Sequence, residues 1–260
     1  MELDFTLSDF VPTGFFQGDV WVEGRRHLLF ATSEQLKILK GSKRWFIDAT
    51  FKEVKAPVTQ LLSIHVFLKS GDDMKQVPAI YVFMSGKRKV DYSAVFAAVK
   101  NLLPENEAEQ VVLDFEAAMW GGIREVLPEK SIKGCVFHWT QAVFRHVQSL
   151  GLQQAYHRDH GTRTFVCKLM ALAFVPEEYI LRLFLHLSST AQDEQLSALA
   201  SYVYDTWVDS SLWPPSAVLY FAWIFHIFII KTSLLSRSYF ISDAHRMYKS
   251  VLYSRVVYLK

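Results

Sequence analysis

The chain has 260 residues, of which 51% are hydrophobic and 21% charged. That excludes a disordered chain and leaves room for one large domain or two small ones with a sizeable core. With 28 basic and 26 acidic residues the formal charge is +2, so overall charge does not announce nucleic acid. Two cysteines, Cys135 and Cys167, exclude a disulfide framework and a four-cysteine zinc module, and fit a reducing compartment. Residues 1–10 carry Glu2, Asp4 and Asp9 and no base, so no signal or transit peptide is expected there. The charge is unevenly spread. From Ser211 onward the one acid is Asp243, no Glu follows Glu194, and aromatic and basic residues are dense.

Residues 1–42 form a mixed lead-in, with Trp21, Val22 and 28–30 suiting a short strand pair and 33–39 a short helix capped by Ser33. Residues 44–51 are a compact apolar run carrying Asp48 near its end. Residues 60–68 and 79–84 follow as strands, with turn signals at Gly71-Asp72-Asp73 and Ser85-Gly86-Lys87. Residues 92–103 have helical spacing, and Pro104 stops them. Residues 111–115 predict a fourth strand running into Asp114, 116–126 a short helix before Pro128, and 132–137 a fifth strand. Three strands, a helix, a strand, a helix and a strand imply an α/β domain with mixed strand directions. From 139 to 209 the spacing is helical, with helices expected at 138–150, 163–174, 177–187 and 191–208. The organisation expected is a lead-in at 1–42, an α/β core at 43–140, a helical segment at 141–213 and an apolar, basic tail at 214–260.

Two features of this pattern carry chemistry. Asp48 and Asp114 each sit at the C-terminal end of an apolar strand, about 65 residues apart. If the strands pair, the two carboxylates repel, and a divalent cation relieves the repulsion. Mg²⁺ prefers such oxygen ligands and keeps waters for substrate phosphates. The same residues also suit turns and helix starts, with Asp114 and Glu116 complementing a helix N-terminus. The second feature is Cys135-Val136-Phe137-His138, a C-x-x-H spacing. Zinc needs more ligands than this pair, and the alternative is a buried Cys beside a hydrogen-bonded His at a helix start.

Phe46-Ile47-Asp48-Ala49-Thr50-Phe51 resembles the D-x-T-F start of the Mutator-like element (MULE) transposase domain. Val111 to Ala118, a strand running into D-x-E-x-A, resembles that family's second block. Gly134-Cys135-x-Phe137-His138-x-x-Gln141 resembles its third, and Tyr204-Asp205-Thr206-Trp207, one position shorter, resembles the Y-x-x-T-W that closes its helical segment. The resemblance implies an RNase H-like fold, here a mixed five-stranded sheet with an all-helical insertion, and a DDE-type core. Asp48 and Asp114 would be its catalytic, metal-binding carboxylates, with Mg²⁺ or Mn²⁺ as cofactor and DNA as partner. It further implies metal-dependent DNA strand cleavage and transfer, in the nucleus or cytoplasm. No small-molecule substrate is expected, and a homo-oligomer is compatible. The family's third acid is a Glu beyond the insertion, after an R-T-N-N-like stretch. That stretch is absent, so a catalytically incomplete chain is expected.

Lys87, Arg88, Lys89 and Arg145 are candidate DNA contacts, since basic groups near such a core would neutralise phosphates. A non-catalytic DNA-binding or protein-interaction module is the rival from another class. Residues 217–230 are an apolar run of about 14, short of the roughly 20 needed to span a bilayer, so a membrane anchor is the lesser alternative for the tail.

Overall fold

The computed structural model describes residues 11–51 and 54–217. The chain divides into two compact units, Met1–Lys133 and Gly134–Lys260.

The first unit is built on a mixed sheet. Strands β1 (Phe16–Val22) and β2 (Arg25–Phe30) form an antiparallel hairpin. Its turn residues Glu23 and Gly24 both have positive φ, +46° and +76°, as the right-handed twist of a two-residue hairpin requires. Helix α1 (Ser33–Lys40) follows, then β3 (Arg44–Thr50), β4 (Gln60–Ser70) and β5 (Asp73–Met84). Strands β3, β4 and β5 form an antiparallel meander, and β2 adds antiparallel to β5. Helix α2 (Lys89–Leu102) leads to β6 (Gln110–Leu113), which lies parallel to β3. Helix α3 (Ala117–Val126) and β7 (Ser131–Gly134) complete the sheet, whose order is β1-β2-β5-β4-β3-β6-β7.

Alternation decides which face is buried. On β4, Gln60, Leu62, Ile64 and Val66 are buried while Leu61, Ser63, His65 and Phe67 are partly exposed. Trp45 and Ile47 share the buried face with Ile80, Val82 and Met84. Helix α2 contributes Tyr92, Val95, Phe96 and Val99, and α3 contributes Met119, Trp120 and Ile123. The two helices approach so closely at Gly122 that an added Cβ would lie 2.7 Å from Tyr92 Cβ.

Over its described residues, up to Ala217, the second unit is helical. It comprises α4 (Val136–Ser149), α5 (Gln153–Arg158), α6 (His160–Ala171), α7 (Glu177–Ser188) and α8 (Glu194–Val203). A π-helical turn at Tyr204–Val208 extends α8 and buries Trp207 against Trp139, ring centroids 4.9 Å apart and edge-on. The Trp139 indole donates to the Met170 carbonyl at 2.9 Å, which ties α4 to α6. Trp207 closes the stretch 204–207 compared with the family's Y-x-x-T-W, and here its ring packs in the helical core.

The α/β class expected from the sequence is found, with differences of detail. The sheet has seven strands rather than five, because the hairpin of β1 and β2 joins its edge. Thr32, not Ser33, caps α1, in a reciprocal pair of hydrogen bonds with Gln35. The expected fifth strand over 132–137 stops at Gly134, and Cys135 is the N-cap of α4 instead of a mid-strand residue. The run Cys135-Val136-Phe137 is apolar throughout, and a short apolar run does not distinguish a strand from the start of a buried helix. The span expected as one helix over 191–208 is α8 plus the π-turn, and α5 was not anticipated. Among the described residues no helix is long and apolar enough to cross a membrane. The apolar tail considered as an anchor lies, from 218 on, outside the described residues.

Candidate functional site

The pairs Arg44↔Gln110, Trp45↔Val111 and Phe46↔Val112 set the parallel register of β3 and β6. Continued two residues, the same register brings Asp48 abreast of Asp114, on the sheet face of Phe46 and Val112. The sequence alone placed these acids at strand ends; the register makes them neighbours. Asp48 is exposed, and its Oδ1 accepts the Ala49 amide at 2.9 Å. Across β4 it faces Ser63, whose Oγ lies 2.7 Å from His65 Nε2. Asp114 stands just past the end of β6 and is half-buried. Its carbonyl accepts the Trp120 indole N–H at 2.6 Å, so the first turn of α3 fixes the backbone from which its carboxylate projects.

Glu116, the N-cap of α3, is a third acid at this end of the sheet. The Tyr92 hydroxyl donates to its Oε2 at 3.0 Å, and Gln60 Nε2 donates to the Tyr92 oxygen at 2.8 Å. Burial raises the Glu116 carboxyl above the ordinary carboxylate range, and the Asp114 charge adds to this; the Tyr92 hydrogen bond and Lys87 oppose it. Tyr92 is pushed up too, first by burial and further by the charges of Glu116 and Asp114, against the Gln60 hydrogen bond. Lys87 also stands 5.3 Å from the ring centroid of half-exposed Phe51, just after β3.

The basic run at 87–89 is split by the fold. Arg88 is held by Glu23 at 2.5 Å and lies 3.6 Å from Asp91, and Lys89 pairs with Glu125 at 2.9 Å. Lys87 acts on the acid cluster, opposing the upward shift of Glu116. Arg145 is on α4 in the second unit, exposed and donating to Gln141 one turn earlier at 2.7 Å. Cys135 and His138 also belong to that unit, one capping α4 and the other in its first turn.

Two carboxylates at the ends of neighbouring strands offer hard oxygen ligands, the chemistry suited to Mg²⁺ or Mn²⁺. No group of three or more His, Cys, Asp or Glu residues among those described is arranged to hold a metal ion. In the sequence Glu116 reads as a helix-start charge, with nothing to show Tyr92 as its partner or Gln60 behind Tyr92. The D-x-E spacing was the one available signal. Gln60 had none, because a Gln opening an apolar strand looks like a boundary residue.

Residues 44–142 match the family model of the MULE transposase domain, which spans β3 through the first half of α4. The resemblance drawn from the three sequence blocks is thereby shown over that stretch, and it supports a transposase-related function. No curated protein matches the chain.

Proposed function

We propose that this chain is a transposase-derived, RNase H-like domain that binds DNA and acts on its phosphodiester backbone with Mg²⁺ or Mn²⁺ held by Asp48 and Asp114. One observation carries this reading: a register that sets the two strand-end acids of the matched stretch abreast. When bound, such a cation activates a water or 3′-hydroxyl nucleophile and stabilises the leaving oxygen. Asp48 and Asp114 would hold it. The Trp120 indole fixes the Asp114 backbone from which that carboxylate projects. Lys87 places a positive charge near the acids, suited to a phosphate of the bound strand. The site of action would be the nucleus or the cytoplasm.

The absence of any Glu after Glu194 and of a third metal-binding group among the described residues favours weak strand cleavage in this chain. DNA binding would then outlast catalysis. Plasmid nicking with Mg²⁺ or Mn²⁺, run beside Asp48→Ala and paired with DNA-binding titrations at several salt concentrations, tests both halves. Slow nicking that disappears in the variant supports the catalytic reading. Salt-dependent binding without nicking supports the non-catalytic one. A chain that neither binds nor nicks DNA overturns the proposal.

A further inference from the structure

Gln60 and Tyr92 are both fully buried, and each carries a polar group into the core. A Leu and a Phe would fill the same space without the cost of desolvating an amide and a hydroxyl. Two hydrogen bonds link them to Glu116, beside longer approaches of the Tyr92 hydroxyl to Gln60 Oε1 at 3.3 Å and of Gln60 Nε2 to Met84 Sδ at 3.2 Å. Gln60 Nε2–H donates to the Tyr92 oxygen at 2.8 Å, and the Tyr92 O–H donates to Glu116 Oε2 at 3.0 Å. Gln60 opens β4 directly beside the end of β3, since Thr50 pairs with Leu61. Tyr92 belongs to the first turn of α2, and Glu116 caps α3 two residues beyond Asp114. The chain therefore joins the end of the Asp48 strand to the junction that carries Asp114. It acts on that junction together with the Trp120 indole, which holds the Asp114 carbonyl.

We infer that Gln60 and Tyr92 are positioning residues for divalent-cation binding by Asp48 and Asp114: their hydrogen-bonded chain holds Glu116 and, through it, aims the Asp114 carboxylate. This rests on the cation reading given above. Groups that orient metal ligands from behind change metal affinity when removed, even though they never touch the metal.

The experiment titrates the full chain with Mn²⁺ and follows the free-ion signal by electron paramagnetic resonance, with a thermal melt for every variant. Wild type is expected to bind Mn²⁺, and Asp114→Asn to lose that binding. Tyr92→Phe keeps the ring and its packing and should weaken Mn²⁺ binding about tenfold. Gln60→Leu combined with Tyr92→Phe removes both buried polar partners. Such a paired replacement is close to neutral for stability. A purely structural role predicts that this double variant melts and binds Mn²⁺ as wild type does. The positioning role predicts a preserved melt with weakened Mn²⁺ binding. Unchanged Mn²⁺ affinity in both variants, beside Asp114-dependent binding in wild type, overturns this inference and leaves the cation reading standing. Wild type without Asp114-dependent Mn²⁺ binding overturns both.

Discussion

Asp91 and Asp114 are both aspartates beside the N-termini of helices in the first unit, and their surroundings differ in kind. Asp91 lies in the first turn of α2, is fully buried, and is surrounded by donors. Arg25 Nε donates to it at 2.7 Å, the Arg88 amide at 2.8 Å, and His27 Nε2 lies 3.4 Å away. Gly86 is fitted so tightly against Arg25 and Asp91 that a Cβ there would sit 2.6 Å from each. Asp114 instead stands at a strand end beside exposed Asp48, where two like charges share one sheet face. The first carboxylate is neutralised by the protein's own cation and ties β2 to the start of α2. The second pair stands at neighbouring strand ends and is the one to which the proposed function assigns a cation.

Mutation should separate these two uses of aspartate. The largest effect expected is on Asp91. Asp91→Ala strips the partner from largely buried Arg25, and loss of one member of a buried pair costs about 3–5 kcal/mol. Because Arg25 keeps some contact with water, the lower end is expected, read from urea unfolding. Asp114→Asn should do the reverse, changing unfolding free energy by less than about 0.5 kcal/mol while abolishing Mn²⁺ binding. A large stability loss in Asp114→Asn would break the contrast.

Gly122→Ala probes the wall between α2 and α3, on which Tyr92 sits. Its Cβ would meet Tyr92 Cβ at 2.7 Å and the Ser93 amide nitrogen at 3.0 Å. Overpacking of this kind costs about 1–3 kcal/mol, measurable in the same urea series.

His27 sharpens the contrast through pH. Burial holds its pKa below 6.5, with nearby Asp91 opposing in part. As pH falls through 6.5 the unfolded chain takes up a proton that the folded chain does not. Stability present above 6.5 is therefore lost toward lower pH, with a slope of at most about 1.4 kcal/mol per pH unit. Urea midpoints between pH 7.5 and 5.5 should show this fall, and His27→Gln should flatten it. An identical slope in that variant would remove His27 as the cause.

The smallest effect is at the basic run. Lys87→Ala should lower the slope of log affinity for DNA against log salt by about one. Lys89→Ala, whose ammonium already pairs with Glu125, should change it less. Equal effects would mean that the 87–89 run contacts DNA as a solvated patch, without regard to the acid site.

Much of the sheet was legible because its signals are local. The alternation of 60–68, the helical spacing of 92–103 and the turn residues between them each follow from a period or a backbone preference within a few positions. The boundaries slipped where such signals run together. Cys135-Val136-Phe137 is apolar in every register, so the end of β7 and the start of α4 could not be separated. The β1–β2 hairpin was visible as a strand pair, but its attachment to β5 was not, because pairing across about 55 residues is decided by which edges fit, not by a local pattern.

For the site, the sequence by itself determined which carboxylates stand at strand ends and that their surroundings match the MULE transposase blocks. Only the tertiary structure decided that Asp48 and Asp114 stand abreast, and that Glu116 is gripped from the core by Tyr92 and Gln60. Strand order and register follow from the packing of a whole buried face. A hydrogen bond between residues 32 positions apart, such as that of Gln60 and Tyr92, exists only after that packing has brought them together.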